Sequence, residues 1–234
     1  MQNIASVFET HAKQIWGDCY KEQALVCEDK YVGDISRNDS KLYKFEDESG
    51  FVERGNPPNR SDRKLILVLE SPHNDEYRGM ATPVPANGTT GRHIRKYIGE
   101  VLRCSTGNDC GTLQVILVNA VQYQCSQAHT LVCRANRLKR DDVFRNTFGE
   151  GEEFKQRLRE LNISDRDTVI NCCTKGTRTP YLRDLVGKAI KDVRGYPSQF
   201  MYFATCHPSV WFNKKLRAMR QVDRVSSDAG LSYM

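Results

Sequence analysis

Much of what this chain can be is narrowed by what it has little of. No run of apolar residues in its 234 is long enough to span a bilayer, so no membrane association is expected. The first residues, MQNIASVFETHAKQIW, lack the charged-then-apolar order of a secretory signal, and a cytoplasmic location is expected. Among 9 cysteines there is no Cys-x-x-Cys spacing, which argues against a zinc or redox centre. Their odd number, without a leader, argues against a disulfide framework. Reduced, mostly buried thiols are the expectation. There is no internal repeat and no low-complexity block. Nor is there a large excess of one charge: Lys plus Arg total 35 against 29 Asp plus Glu, a net +6. That balance allows a polyanionic partner without demanding one. No cofactor or metal is expected, and the chain is expected to be a monomer.

What is present reads as one α/β domain. A chain of this size suits one large domain better than two small ones and can bury a core without disulfides. Residues 1–224 are assigned to it, and 225–234, with weak patterning, to a disordered tail. Residues 3–20 place Ile4, Val7, Phe8, Ala12, Ile15, Trp16, Cys19 and Tyr20 at helical spacing. Residues 29–63 are polar and turn-rich, an irregular connection with room for a short hairpin.

Four short apolar runs follow, at 64–70, 113–119, 167–173 and 199–206. The first two are apolar almost throughout, the mark of strands buried on both faces of a parallel sheet. Helical patterns lie between them, at 92–103, 152–161 and 179–193. The alternation predicts a short four-stranded parallel sheet, joined by right-handed crossovers, with helices on both faces. Two segments are strongly basic, 134–145 (RANRLKRDDVFR) and 213–224 (NKKLRAMRQVDR). On charge alone, both read as solvated helix faces.

In an open parallel sheet, functional groups sit just past the carboxyl ends of the strands. The first run ends in Glu70-Ser71-Pro72-His73 and the second in Asn119. The third ends in Cys172-Cys173-Thr174-Lys175-Gly176 and the fourth in Cys206-His207-Pro208-Ser209. A carboxylate, an amide, a lysine and a histidine are therefore expected on one rim. Singly, each has a plainer explanation, such as a helix cap for Glu70, a turn for Asn119 or a loop histidine for His207.

At these residues the chain resembles the uracil-DNA glycosylase superfamily. That superfamily carries Gly-x-Asp-Pro or Gly-Glu-x-Pro after its first strand, an Asn closing a Leu-Leu-Leu-Asn strand, and His-Pro-Ser after its last. The counterparts are Leu69-Glu70-Ser71-Pro72, Ile116-Leu117-Val118-Asn119 and His207-Pro208-Ser209, in the same order, over roughly residues 64–216. The resemblance implies a DNA partner and a monofunctional glycosylase that flips out one nucleotide, hydrolyses its N-glycosidic bond and leaves an abasic site. It assigns Glu70 to water orientation and His207 to stabilising the departing base. Asn119 would read the base edge, with Ser71 and His73 beside it.

The first motif also departs from the family. Leu69 replaces its glycine, and Ser71 stands where the commonest branch has a water-activating Asp. His73 stands where that branch has the Tyr that excludes thymine. Uracil is the default substrate, and the altered motif makes a modified pyrimidine its rival. Some relatives remove hypermodified cytosines from phage DNA in bacterial defence. The iron–sulfur spacing of the thermophile-type branch is not matched.

DNA contacts would come from several places. Gly91 and Arg92, in the Gly-Thr-Thr-Gly-Arg run, can offer backbone N–H groups to a phosphate. Lys175 and Ser209 are further candidates. After His207 the family inserts an apolar wedge, for which Trp211 or Phe212 would serve, although packing against the core is the commoner role of a Trp. Lys214 and Lys215 would then follow the backbone. Two other readings stand beside this one: a catalytically inactive relative that binds DNA or a partner, and an α/β hydrolase acting on a free nucleoside or nucleotide.

Overall fold

In a computed structural model, residues 3–20, 25–37, 42–45, 63–77, 83–103, 111–126, 133–194, 200–213 and 220–221 are described. The expected tail, together with Lys214 and Lys215, lies outside them. Five helices are present among these residues: α1 (Ile4–Trp16), α2 (Thr89–Leu102), α3 (Arg134–Phe148), α4 (Glu152–Glu160) and α5 (Leu182–Arg194). The strands are β1 (Lys30–Arg37), β2 (Lys44–Phe45), β3 (Arg63–Leu69), β4 (Gly111–Asn119), β5 (Thr168–Asn171), β6 (Met201–Ala204) and β7 (Arg220–Gln221). No described helix is long and apolar enough to cross a membrane.

The α/β class is as expected, but the sheet is larger than four parallel strands. Among the described residues it is mixed and seven-stranded, in the order β2-β1-β4-β3-β5-β6-β7. The four anticipated runs form its parallel centre, β4-β3-β5-β6, and β1, β2 and β7 extend it in antiparallel fashion. The hairpin anticipated within 29–63 is β1 with β2, yet β1 also pairs with β4 through seven residue pairs and so belongs to the sheet. A bulge between Tyr31 and Gly33, where Gly33 has φ 128°, breaks the two-residue alternation that would have announced a strand.

β3 shows why the apolar runs are continuous. Leu65, Leu67 and Leu69 face a core shared with Ile94, Ile98 and Leu102 of α2. Ile66 and Val68 face the other core, built with Phe8 of α1, Phe144 of α3, Phe154 of α4 and Val186 of α5. Both faces are thus covered, and each fully buried aliphatic side chain contributes about 1.5–3 kcal/mol.

The topology places the site. α2 carries the chain from β3 to β4 across one face, and α3 and α4 carry it from β4 to β5 across the other. Because β4 and β5 flank β3 on opposite sides, the connections diverge beyond the carboxyl end of β3. Open α/β sheets leave a crevice at such a switch point.

Candidate functional site

A cavity of about 360 Å3 opens there, a size typical of small-molecule sites. Its wall draws on the connections that follow all four parallel strands: Glu70 through His73 after β3, Thr89 and Thr90 of α2, Ser126 after β4, Arg140 of α3, Thr174 after β5, and His207 and Ser209 after β6. Two groups expected to converge, Glu70 and His207, therefore do so.

Glu70 is fixed from both ends. Its carbonyl accepts from the backbone N–H of Val121 at 3.0 Å, continuing the β3–β4 ladder past the strand ends. Its carboxylate is 4% exposed overall as a residue and is held by two partners. Thr174 donates its hydroxyl to Oε2, and Arg140 Nε lies 3.2 Å from Oε1. Arg140 is itself held by Asp141, whose Oδ1 accepts from Nη2 at 2.6 Å and from Nε at 2.9 Å. The other Asp141 oxygen accepts from the backbone N–H and hydroxyl of Thr177, at 2.6 and 2.5 Å. Between Thr174 and Thr177, Gly176 takes φ 80°, and a Cβ there would come within 2.8 Å of Leu182 Cγ. Only glycine suits that turn. A buried charge persists only when paired and hydrogen-bonded, and this network meets that condition for Glu70.

His207 begins the short turn Pro208–Val210 and caps it with its own ring. The Ser209 N–H donates to Nδ1 at 3.3 Å, and Ser209 Oγ lies 2.9 Å from the same atom. An Nδ1 that accepts leaves the ring proton of the neutral imidazole on Nε2. Burial, then the nearby Arg140, His73 and Arg183, pushes the His207 pKa down to about 4. The ring is therefore neutral at physiological pH and offers Nε2–H as a donor. The turn is clamped from α2, where His93 Nδ1 lies 3.1 Å from the Pro208 carbonyl oxygen and 3.0 Å from that of Ser209.

Other expected residues fall at varying distances from this centre. Ser71 and His73 line the cavity, and His73 is exposed. Asn119 does not reach the wall. It is 1% exposed, its Nδ2 donates to Cys27 Sγ at 3.6 Å, and its Oδ1 has no partner. The segment carrying Cys27 covers it, anchored by the Cys27 N–H on the Gln122 carbonyl. Arg157 adds a second tie, pairing with Asp29 at 2.7 and 2.6 Å while donating to the Asn119 carbonyl at 2.9 Å.

Gly91 and Arg92 belong to the first turn of α2 rather than preceding it; Gly88, Thr89 and Thr90 form the wall, with their helix amino terminus toward the cavity. Lys175 is exposed outside the cavity, 4.1 Å above the Tyr181 ring. Trp211 is fully buried, its indole N–H bonded to the Cys206 carbonyl at 2.9 Å, so it packs the core and is no wedge. Its neighbour Phe212 is 60% exposed and lies against His93.

Sequence reasoning missed Arg140, Thr174, Ser126 and Glu76. The basic segment 134–145, which on charge alone reads as a solvated face, lies in α3, and Arg140 on it is buried. Its spacing from Phe144 and Thr147, four and seven residues on, was the available signal. Among the described residues no cluster of three or more His, Cys, Asp or Glu could hold a metal ion. Of the described thiols, those of Cys27, Cys125, Cys172 and Cys173 are buried, Cys206 is half-buried and Cys133 is exposed.

The chemistry available is thus a buried carboxylate and a neutral imidazole donor on the wall of one small-molecule-sized crevice. Compared with models of known protein families, with curated proteins and with solved structures, the chain matches none of them.

Proposed function

We propose that the chain is a DNA glycosylase, which takes a nucleotide turned out of DNA into this cavity and hydrolyses the bond between its sugar and uracil or a modified pyrimidine. The observation that carries the reading is the shared wall position of Glu70, paired with Arg140, and His207, whose Nδ1 accepts from the Ser209 N–H. Cleavage of an N-glycosidic bond builds positive charge on the sugar and negative charge on the base. A carboxylate stabilises the first and orients a water, and a neutral donor stabilises the second.

In this mechanism the C1′–N1 bond breaks with its electron pair leaving on the base. His207 Nε2–H donates to a carbonyl oxygen of the departing anion. The water oxygen bonds to C1′, and its proton passes to Glu70 and on to the base. The backbone amides at the start of α2 suit a phosphate beside the flipped nucleotide. Exposed Phe212 suits the gap left in the stack.

The test is incubation of the protein with duplex oligonucleotides bearing uracil, and with phage DNA bearing modified cytosine, followed by alkali. Strand breaks on at least one of these substrates are expected; intact strands on every substrate would overturn the proposal. A second reading, hydrolysis of a free nucleotide, draws on the α2 amino terminus, which would receive that nucleotide's phosphate equally well. Duplex affinity that falls steeply with salt points away from it.

A further inference from the structure

The cavity wall carries a second carboxylate that the cleavage step does not use. Glu76 lines the cavity and is 4% exposed. It sits in the single turn Asn74–Tyr77, pinned by its own N–H on the His73 carbonyl at 2.9 Å and by the Val84 N–H on its carbonyl at 3.3 Å. Behind it runs a short chain of donors. Asn119 Nδ2 donates to Cys27 Sγ at 3.6 Å, and the Cys27 thiol donates to Glu76 Oε2 at 3.8 Å. Burial pushes the Cys27 thiol well above its ordinary pKa, so it keeps its proton and Glu76 is the acceptor of the pair.

We infer that Glu76 is a specificity-determining residue: it accepts a hydrogen bond from an exocyclic amine on the bound base and so selects cytosine-type over uracil-type pyrimidines. This rests on the glycosylase reading above and names the substrate class of that site. Asn119, which could present both donor and acceptor to a base edge, is withheld behind Cys27, and Glu76 takes the wall position in front of it. A carboxylate is an acceptor only. It matches the amino group at position 4 of cytosine and repels the carbonyl oxygen at position 4 of uracil. A polar site loses far more by burying an unmatched group than an apolar pocket loses by an ill-fitting one, so one carboxylate can dominate the choice.

The experiment measures binding and release separately, on matched bases that differ only at position 4: cytosine against uracil, and 5-hydroxymethylcytosine against 5-hydroxymethyluracil. Binding is read with uncleavable 2′-fluoro oligonucleotides, and release with the ordinary deoxynucleotides. For the wild-type chain, the amino-bearing member of at least one pair is expected to bind at least about tenfold tighter. In Glu76→Gln the ratio is expected to fall to within about threefold, because a carboxamide both donates and accepts. Affinity for an oligonucleotide with an abasic-site analogue should not move, which separates base reading from a fold defect.

Equal binding of both members of each pair by the wild-type chain, with release from either, overturns the role of Glu76 and leaves the glycosylase reading standing. An unchanged ratio in a folded Glu76→Gln also overturns it. Neither binding nor release from any of the four overturns both.

Discussion

Arg140 Nε lies 3.2 Å from Glu70 Oε1, and both side chains are less than a tenth exposed. The pair joins α3, on one face of the sheet, to the turn that follows its central strand. Asp141 and Thr177 hold the guanidinium from behind, so the carboxylate is presented to the cavity in one orientation.

Removing the cation alone should therefore be costly. Arg140→Met leaves two buried carboxylates, those of Glu70 and Asp141, without their cation, and a loss of about 3–5 kcal/mol is expected from urea unfolding at neutral pH. Glu70→Gln combined with Arg140→Met should recover part of that loss. A single Arg140→Met as stable as the wild type would mean that the pair is open to solvent.

His207 gives a signed pH dependence. Its folded pKa, about 4, lies below the 6.5 of an unperturbed histidine, so between those values the unfolded chain binds the extra proton. The His207 contribution to stability is full above about pH 6.5 and is lost as pH falls towards 4, by at most about 3 kcal/mol. Unfolding midpoints across that window should fall less steeply for His207→Gln than for the wild type. Base release should also lack a histidine inflection near 6.5, and the same variant should slow it by about 10²–10³. A release rate that collapses as pH drops through 6.5, in the wild type but not in the variant, would contradict a neutral ring.

Trp211 and Phe212 are adjacent but should respond in opposite ways. Trp211→Ala empties a fully buried site and is expected to cost about 3–5 kcal/mol. Phe212→Ala removes an exposed ring and should leave the unfolding midpoint within about 0.5 kcal/mol of wild type while weakening DNA affinity. Unchanged affinity for DNA would remove Phe212 from the interface.

The parallel centre of the sheet was legible because β3 and β4 are buried on both faces, which demands unbroken apolar runs. Each run then stops abruptly at a polar group, and this is how Glu70 and His207 stood out. β1 was hidden by its bulge, which puts Gly33 and Asp34 where alternation should continue. Asn119 was correctly placed as the last residue of β4, but its cover was not visible. Cys27 is 92 positions away in the chain, and no local pattern announces such a contact. Arg140 was obscured by its neighbours, because in a segment dense with cations nothing but helical phase separates the one buried guanidinium from the exposed ones.

Mass spectrometry of the free bases released from uracil-containing and phage-modified DNA tests the central proposal most directly. The expected result is a released pyrimidine from at least one substrate, with the rate lowered by about 10²–10⁴ in Glu70→Gln. No free base from any substrate, or release that Glu70→Gln leaves undiminished, would contradict it.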